Sequence, residues 1–335
     1  MRQVADEADV SVQTVSNLIN GRLDHMAPTT EARVRAVIDR LGYRPNSAAQ
    51  GLRSQSNRTI SFVVVDPSQR FLGDAMTDLF LAGLGDEVRE REYSLLIQSV
   101  RPSDGHGELT RSIAEGRAEG AVIFLSGPPA DRARVVEGLS NSELPVVLLQ
   151  EHGVPEGEVP SIVAKDREGS RELCQHLIAR GHQRIAFLIA DQGWSAIEQR
   201  VAGYQDAHAE AGIRLHPTVL IRHGDFRPLN AAAVASRLLD LPSPPTAVMC
   251  GNDLLALGVL KAAREAGLKV PGDLAVTGFD DFEFSSAMDP GLSTVRVPGY
   301  EMGRYAAQSL IRALHSGSRP QGAEFDIEVC LRASG

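Results

Sequence analysis

Val10-Ser-Val-Gln-Thr-Val-Ser-Asn-Leu-Ile-Asn20 has the period of a short amphipathic helix with one apolar and one polar face. Val15, Leu18 and Ile19 recur at i, i+3 and i+4 on the side that packs. Val12, Gln13, Ser16 and Asn17 are left on the outer side, and Ser11 stands where a hydroxyl caps the first turn. A short helix with small polar residues outward and a Ser cap is the second helix of a helix-turn-helix, whose outer side enters the major groove of DNA. Working outward, Thr29 to Leu41 carries Val34, Val37, Ile38 and Leu41 at helical spacing and stops at Gly42, which predicts an all-α head of three helices. A Pro-interrupted segment, Tyr43-Arg-Pro-Asn-Ser-Ala-Ala-Gln-Gly-Leu-Arg53, follows, and the aperiodic Arg53-Ser-Gln-Ser-Asn-Arg58 reads as a linker.

Beyond Thr59 the pattern changes. Apolar runs at Ile60–Val65, Ser94–Val100, Ala121–Leu125 and Val146–Leu149, then at Ile185–Ile189, Val219–Ile221, Ala247–Cys250 and Leu274–Thr277, alternate with helical periods. Such alternation predicts parallel sheets covered by helices, in two doubly wound subdomains divided near Val163 to Asp166. Ligands of these sheets bind beyond the carboxyl ends of the strands. Those ends carry Asp66, Gln150, Asp191, Asp225, Asn252, Asp253, Asp280 and Asp281, which predicts a cleft for a polar ligand; taken singly, each is an ordinary helix cap.

A chain of 335 residues, 43% hydrophobic and 5% aromatic, buries a sizeable core in two or three domains. The net charge of -9 argues against nucleic acid until it is divided by region. Residues 1–58 hold eight arginines against six carboxylates, a small surplus of positive charge on an otherwise acidic chain. Asp6, Glu7 and Asp9 stand where a signal peptide needs an apolar core, and no apolar run approaches a membrane span; the expectation is a cytoplasmic protein. Cys174, Cys250 and Cys330 lie far apart without CxxC spacing and read as buried thiols, and neither metal nor cofactor is expected.

The chain resembles the lactose-repressor/galactose-repressor (LacI/GalR) family of bacterial transcription regulators along nearly its whole length. The head motifs are Val4-Ala5, Ala8, Val10-Ser11, Thr14-Val15-Ser16, Asn20-Gly21 and Leu41-Gly42-Tyr43-Arg44-Pro45-Asn46. The rest are Leu177-Ile-Ala-Arg-Gly-His182, Arg184-Ile-Ala186, Arg200-Val-Ala-Gly203, Pro245-Thr-Ala247, Asn252-Asp253, Ala256-Leu-Gly258, Val270-Pro271, Gly278-Phe-Asp-Asp281 and Leu292-Ser-Thr-Val295. Singly they are weak; their order and spacing carry the likeness. The resemblance implies a head, 1–45, a hinge helix and linker, 46–58, and a periplasmic-binding-protein-like core. In that core 59–162 plus 296–321 would form the N-terminal effector subdomain and 163–295 plus 322–335 the C-terminal one. It further implies a repressor that binds a pseudo-palindromic operator as a homodimer, controlled by a small polar, carbohydrate-like effector such as a sugar or sugar derivative.

Residue by residue, the resemblance places Val12, Gln13 and Asn17 against base edges and Thr14, Ser16, His25 and Thr30 against phosphates. Asn46, Ala49 and Leu52 fall on the hinge helix, with Ala48 also small and Leu52 a candidate minor-groove wedge. Many relatives carry Arg where this chain has Asn17. They also carry about half a turn of extra chain with a Thr cap before the Val4-Ala5 pair, so helix one is expected to start uncapped, at a cost of roughly 0.5–2 kcal/mol; a start codon placed too far downstream would account for it. Asp9 replaces the usual turn glycine, a position that Asp tolerates. For the effector, matching positions are Phe71, Leu72, Gln150, Trp194, Ala196, Arg200, Phe226, Asn252 and Asp280, whose chemistry suits a polyhydroxylated or carboxylated molecule. Gln150 stands where many relatives have Asp.

Two rival readings are weaker. A doubly wound enzyme lacks its motifs: Gly83-Leu-Gly85 lies inside a helical period, and no Walker loop, nucleophile elbow or His-Glu-x-x-His is present. A periplasmic-type binding protein without transcriptional role leaves the helix-turn-helix unexplained.

Overall fold

The computed structural model describes residues 1–335 except Asn20, Gly21, Asp24, His25, 44–56, 66–73, 102–105, Glu156, Gln192, 216–218, Asp225 and Phe226. The chain forms two compact units, Met1–Asn57 and Arg58–Gly335. In the first, α1 (Arg2–Glu7), α2 (Val12–Ile19) and α3 (Pro28–Leu41) bury Val4, Ala5, Ala8, Val15, Leu18, Val34 and Val37 together. Ser11 caps α2 as expected, its Oγ accepting from Thr14 N at 3.0 Å. Asp9 takes the left-handed conformation, φ 49°. Gly42 ends α3 at φ 57°, with its N–H on Asp39 O and that of Tyr43 on Ile38 O, so the last turn's carbonyls are satisfied. At Met1, α1 has no side-chain cap.

In the second unit, β1 (Thr59–Val65), α4 (Ala75–Glu90), β2 (Ser94–Val100), α5 (His106–Ala114), β3 (Gly120–Phe124), α6 (Pro129–Ser140), β4 (Val146–Leu149) and β5 (Ser161–Ala164) build the first subdomain. The chain then enters α7 (Asp166–Ala179), β6 (Ile185–Ile189), α8 (Ser195–Glu210), β7 (Leu220–Arg222), α9 (Pro228–Leu239), β8 (Ala247–Cys250), α10 (Asp253–Glu265), β9 (Ala275–Thr277) and α11 (Glu283–Ala287). It returns through β10 (Thr294–Arg296) to α12 (Gly299–Ser316), β11 (Ala323–Phe325) and β12 (Glu328–Cys330). Both main sheets are parallel, in the orders β11-β5-β4-β3-β1-β2 and β7-β6-β8-β9; β10 and β12 pair antiparallel. The eight apolar runs are the eight strands expected, each within a residue or so at its ends.

The expected partition at 163 and 322 needs correction. Ser161–Ala164 and Ala323–Phe325 pair with each other at one edge of the first sheet, so the first crossing follows Ala164 and residues 323–325 belong to the N-terminal subdomain. The reason lies in length: strands of three or four residues carry too little periodicity to reveal which sheet they join. Gly83, expected inside a helix, lies on α4, where a Cβ would come within 2.0 Å of Tyr300 O on α12. Its role is close helix packing. Among the described residues, no helix is long and apolar enough to cross a membrane.

Candidate DNA interface and effector cleft

On α2, Val12 and Gln13 are exposed and Asn17 is half-buried, in line with an outward strip. Gln13 Nε2 donates to Asn17 Oδ1 at 2.9 Å, so the two amides are held as one unit. Ser16 does not lie on that strip. It is 6% exposed, because α2 is packed by both α1 and α3 and the strip left open is narrower than a helix contacted on one side would show. The Thr14 hydroxyl lies 2.9 Å from Ser11 Oγ, and Thr30 is half-buried in the first turn of α3. His25, Asn46, Ala49 and Leu52 lie outside the described residues.

In the core, the carboxyl ends of both sheets converge on a cavity lined by Asp74, Met76, Phe124, Gln150, Trp194, Ala196, Ile197, Arg200, Asn252 and Asp280. Six of the expected effector positions thus come together: Gln150, Trp194, Ala196, Arg200, Asn252 and Asp280. Phe71, Leu72 and Phe226 lie outside the described residues. The sequence reading missed Asp74, Met76, Phe124 and Ile197; Phe124 ends a strand, the one signal that could have found it. Trp194, from the second subdomain, stacks on Phe124 of the first with centroids 4.1 Å apart and planes at 25°. The water-accessible space left is about 40 Å³, room for a few waters and too little for a sugar ring. A ring-sized ligand must separate Trp194 from Phe124.

Two buried ion clusters flank this stack. Arg200, on α8, donates from Nε to Asp166 Oδ1 at 2.8 Å and from Nη1 to Gly251 O at 2.6 Å; its Nη2 lies 2.8 Å from Asp280 Oδ1 and its guanidinium 3.8 Å over the Phe279 ring. The planar fork expected to grip an effector is therefore largely committed within the protein. His152 adds Nε2 at 3.3 Å from Asp166 Oδ2. In the second cluster Arg132 pairs with Glu151 at 3.0 Å and donates to Gly127 O and, across the cleft, to Gly193 O at 2.5 Å. Neither Arg132 nor Asp166 was foreseen. Nothing in their sequence neighbourhood distinguishes them from solvated helix charges.

Backbone geometry supports the cleft from below. Gln150 and Asp280 hold left-handed φ values of 55° and 103°, a strain that persists where surrounding structure imposes it. Asn252 is the expected cap, its Oδ1 accepting from Leu255 N at 2.9 Å. Asp253 ties Thr294 Oγ1, Ser285 Oγ and Phe282 N together, which gives it a structural task. Burial pushes the Asp280 carboxyl up to about 7 against the pull of Arg200, with Asp253 and Asp74 adding to the rise; burial likewise pushes Asp253 up to about 6.

The sign of the consequence is definite. A carboxyl that holds its proton more tightly when folded contributes stability fully present below its unfolded pKa, near 3.8, and lost as pH rises through the folded value. From pH 5.5 to 8, the unit Arg58–Gly335 should therefore lose about 1–2 kcal/mol relative to its Asp280→Asn variant. Comparing the two proteins by urea denaturation cancels His182 and His208, whose pKa values are lowered by burial and which act in the opposite direction. An offset that stays constant across that range would show that Asp280 ionises normally.

Comparison with known proteins agrees with this geometry. Residues 1–46 match bacterial regulatory proteins, lacI family, and residues 174–334 match the periplasmic binding protein-like domain. Catabolite control protein A of Priestia megaterium is 31% identical over 319 residues, covering 93% of this chain and 91% of that protein. The chain belongs to the lacI family of bacterial regulatory proteins. Like the family, it is a DNA-binding transcriptional regulator. Among solved structures, the lac repressor dimer bound to operator and the anti-inducer ONPF has a TM-score of 0.85 at 25% identity, with 99% of this chain and 97% of that one covered. The CelR–cellobiose complex has a TM-score of 0.74 at 29% identity, with coverage of 99% and 98%. The lacI-family fold thus spans both the three-helix head and the paired parallel sheets.

Proposed function

We propose that this regulator acts as a repressor, binding a pseudo-palindromic operator as a homodimer under the control of a small polar effector held at the Phe124–Trp194 cleft, without catalysis of its own, in the cytoplasm. The observation that carries the reading is a cavity at the carboxyl ends of two parallel sheets, walled by both subdomains, in a chain that also carries the helix-turn-helix. An effector that separates Trp194 from Phe124 prefers one arrangement of the subdomains, and that difference in affinity is the coupling energy, typically ~1–3 kcal/mol. The operator-bound lac repressor and the cellobiose-bound CelR, both similar over almost the whole chain, support such a pairing of DNA and sugar-like ligand.

On DNA, Val12, Gln13 and Asn17 read bases, while Thr14, Thr30 and His25 contact phosphates and Asn46, Ala49 and Leu52 act at the minor groove. Ser16 is withdrawn from the phosphate contacts, since it is buried. Asn17 lacks the guanidinium that grips guanine O6 and N7, and an amide pairs instead with adenine N6 and N7. Sites selected from random DNA should be inverted repeats with an A·T pair opposite Asn17, and Asn17→Arg should shift that pair to G·C by about 1–3 kcal/mol of discrimination. Selection of G·C by the native chain would refute the assignment. For the cleft, a thermal-shift screen of sugars, sugar acids, nucleobases and nucleosides should give a compound that raises the Tm and whose effect disappears in Trp194→Ala. Binding that survives that substitution places the effector elsewhere.

A further inference from the structure

Gln13 and Asn17 stand one turn apart on the side of α2 that the head's core leaves open. Four residues of helix advance about 6 Å, close to two base-pair steps of about 3.4 Å, so neighbouring base edges fall to the two amides together. Gln13 Nε2 donates to Asn17 Oδ1 at 2.9 Å. The backbone beneath them is held at both ends: Ser11 Oγ accepts from Thr14 N at 3.0 Å, and Asn17 O accepts from Arg22 N at 2.9 Å. Ser16 and Leu18, on either side of Asn17, are buried, which fixes the direction in which Asn17 leaves the helix. The bond from Gln13 then decides which way the Asn17 amide faces. An asparagine amide has two nearly isosteric orientations that exchange its oxygen and its NH2. A donor beside it selects the orientation with oxygen toward that donor. Oδ1 keeps a second lone pair and Nδ2 both hydrogens, and such an edge, one acceptor beside one donor, complements adenine N6–H and N7. Turned over, the amide would set NH2 against N6–H and oxygen against N7, like against like. On a helix in water a bond of this kind is weak; against a base edge, the wrong orientation leaves polar groups unpaired on both sides.

We propose that Gln13 is a positioning residue for Asn17: its N–H holds Asn17 Oδ1 so that the Asn17 edge matches adenine. Preference at the base pair opposite Asn17 then depends on a donor at position 13 as well as on Asn17 itself. The proposal rests on the reading of Asn17 as a base-contacting residue and deepens it, because it makes two positions of α2 one recognition unit. Gln13 keeps its Oε1 and its second N–H for a base of its own, so the same side chain reads one pair and orients the reader of another.

The test uses the full chain and duplexes made from the sites that it selects from random DNA. The pair opposite Asn17 is the one that Asn17→Arg changes. Competition titration of duplexes carrying A·T or G·C there gives a discrimination ratio for each variant. Gln13→Met keeps the length and the helix propensity but cannot donate, and should lower the native ratio about threefold or more, a part of what a bidentate contact carries. Gln13→Glu offers only acceptors, draws the Asn17 NH2 toward itself, and should bring the ratio lower still. Gln13→Lys donates across the same turn and should keep the ratio within about twofold, while its charge strengthens binding to every duplex alike. A merely structural role for Gln13 would weaken all duplexes together and leave the ratio where it was. A ratio unchanged in both Gln13→Met and Gln13→Glu overturns the proposal, as does a loss in Gln13→Lys as large as that in Gln13→Met. If no pair responds to Asn17→Arg, the base-reading assignment falls and this proposal with it; a pair that responds while its ratio ignores position 13 removes the coupling alone.

Discussion

Removal of residues 1–57 is expected to abolish specific DNA binding, a loss of about three orders of magnitude or more, while Arg58–Gly335 stays folded and keeps its ligand response. The head carries its own small core of Val4, Ala5, Ala8, Val15, Leu18, Val34 and Val37 and forms a compact unit separate from the rest. The truncation therefore removes the groove-reading helix without opening the cleft. The positive surplus also goes with the head, and the acidic remainder has no comparable attraction for phosphate. Gel-shift titration against a selected operator, beside circular dichroism and a thermal melt of the fragment, checks both halves. Undiminished operator affinity in the fragment would move the DNA interface into the core and sink the assignment of α2.

Arg200→Ala is expected to destabilise Arg58–Gly335 by about 3–5 kcal/mol, since it leaves Asp166 and Asp280 buried without their cation. Asp166 is fully buried and Asp280 4% exposed, so water cannot take over the lost contacts. The loss corresponds to a Tm lower by about 5–9 °C for a unit of this size. The cost comes from stranding charges, and a variant with Arg200→Met, Asp166→Asn and Asp280→Asn together should recover more than half of it. A loss under about 1 kcal/mol for Arg200→Ala would mean that the cluster is solvated in solution. Failure of the triple variant to recover would mean that Arg200 acts through packing on Phe279 and Gly251.

Much of the fold can be read from short-range pattern. Val15, Leu18 and Ile19 on one side of α2, Ser11 at its cap, Gly42 at the end of α3 and eight apolar runs separated by helical periods are relations among residues at most a few positions apart. They express helix and strand periods directly, and they identify the head, the two parallel sheets and the polar strand ends Gln150, Asn252 and Asp280. The misplaced partition at Ser161–Ala164 and Ala323–Phe325 marks the limit of that information, because a strand of three or four residues looks alike in either sheet.

Periods and caps along the chain suffice for the class of molecule: a groove-reading helix with Gln13 and Asn17 outward, ahead of a doubly wound core with polar residues where such cores bind ligands. Packing between elements sets which of those residues can act. It buried Ser16 between two helices, committed Arg200 to Asp166, Gly251 and Asp280, laid Trp194 on Phe124, and brought Arg132 to Glu151 and Gly193. These partners lie between 19 and about 80 positions apart along the chain, and contacts of that range are set by how helices and sheets pack. Periodicity records which face of an element is buried; the identity of the atom it meets there is a property of packing alone.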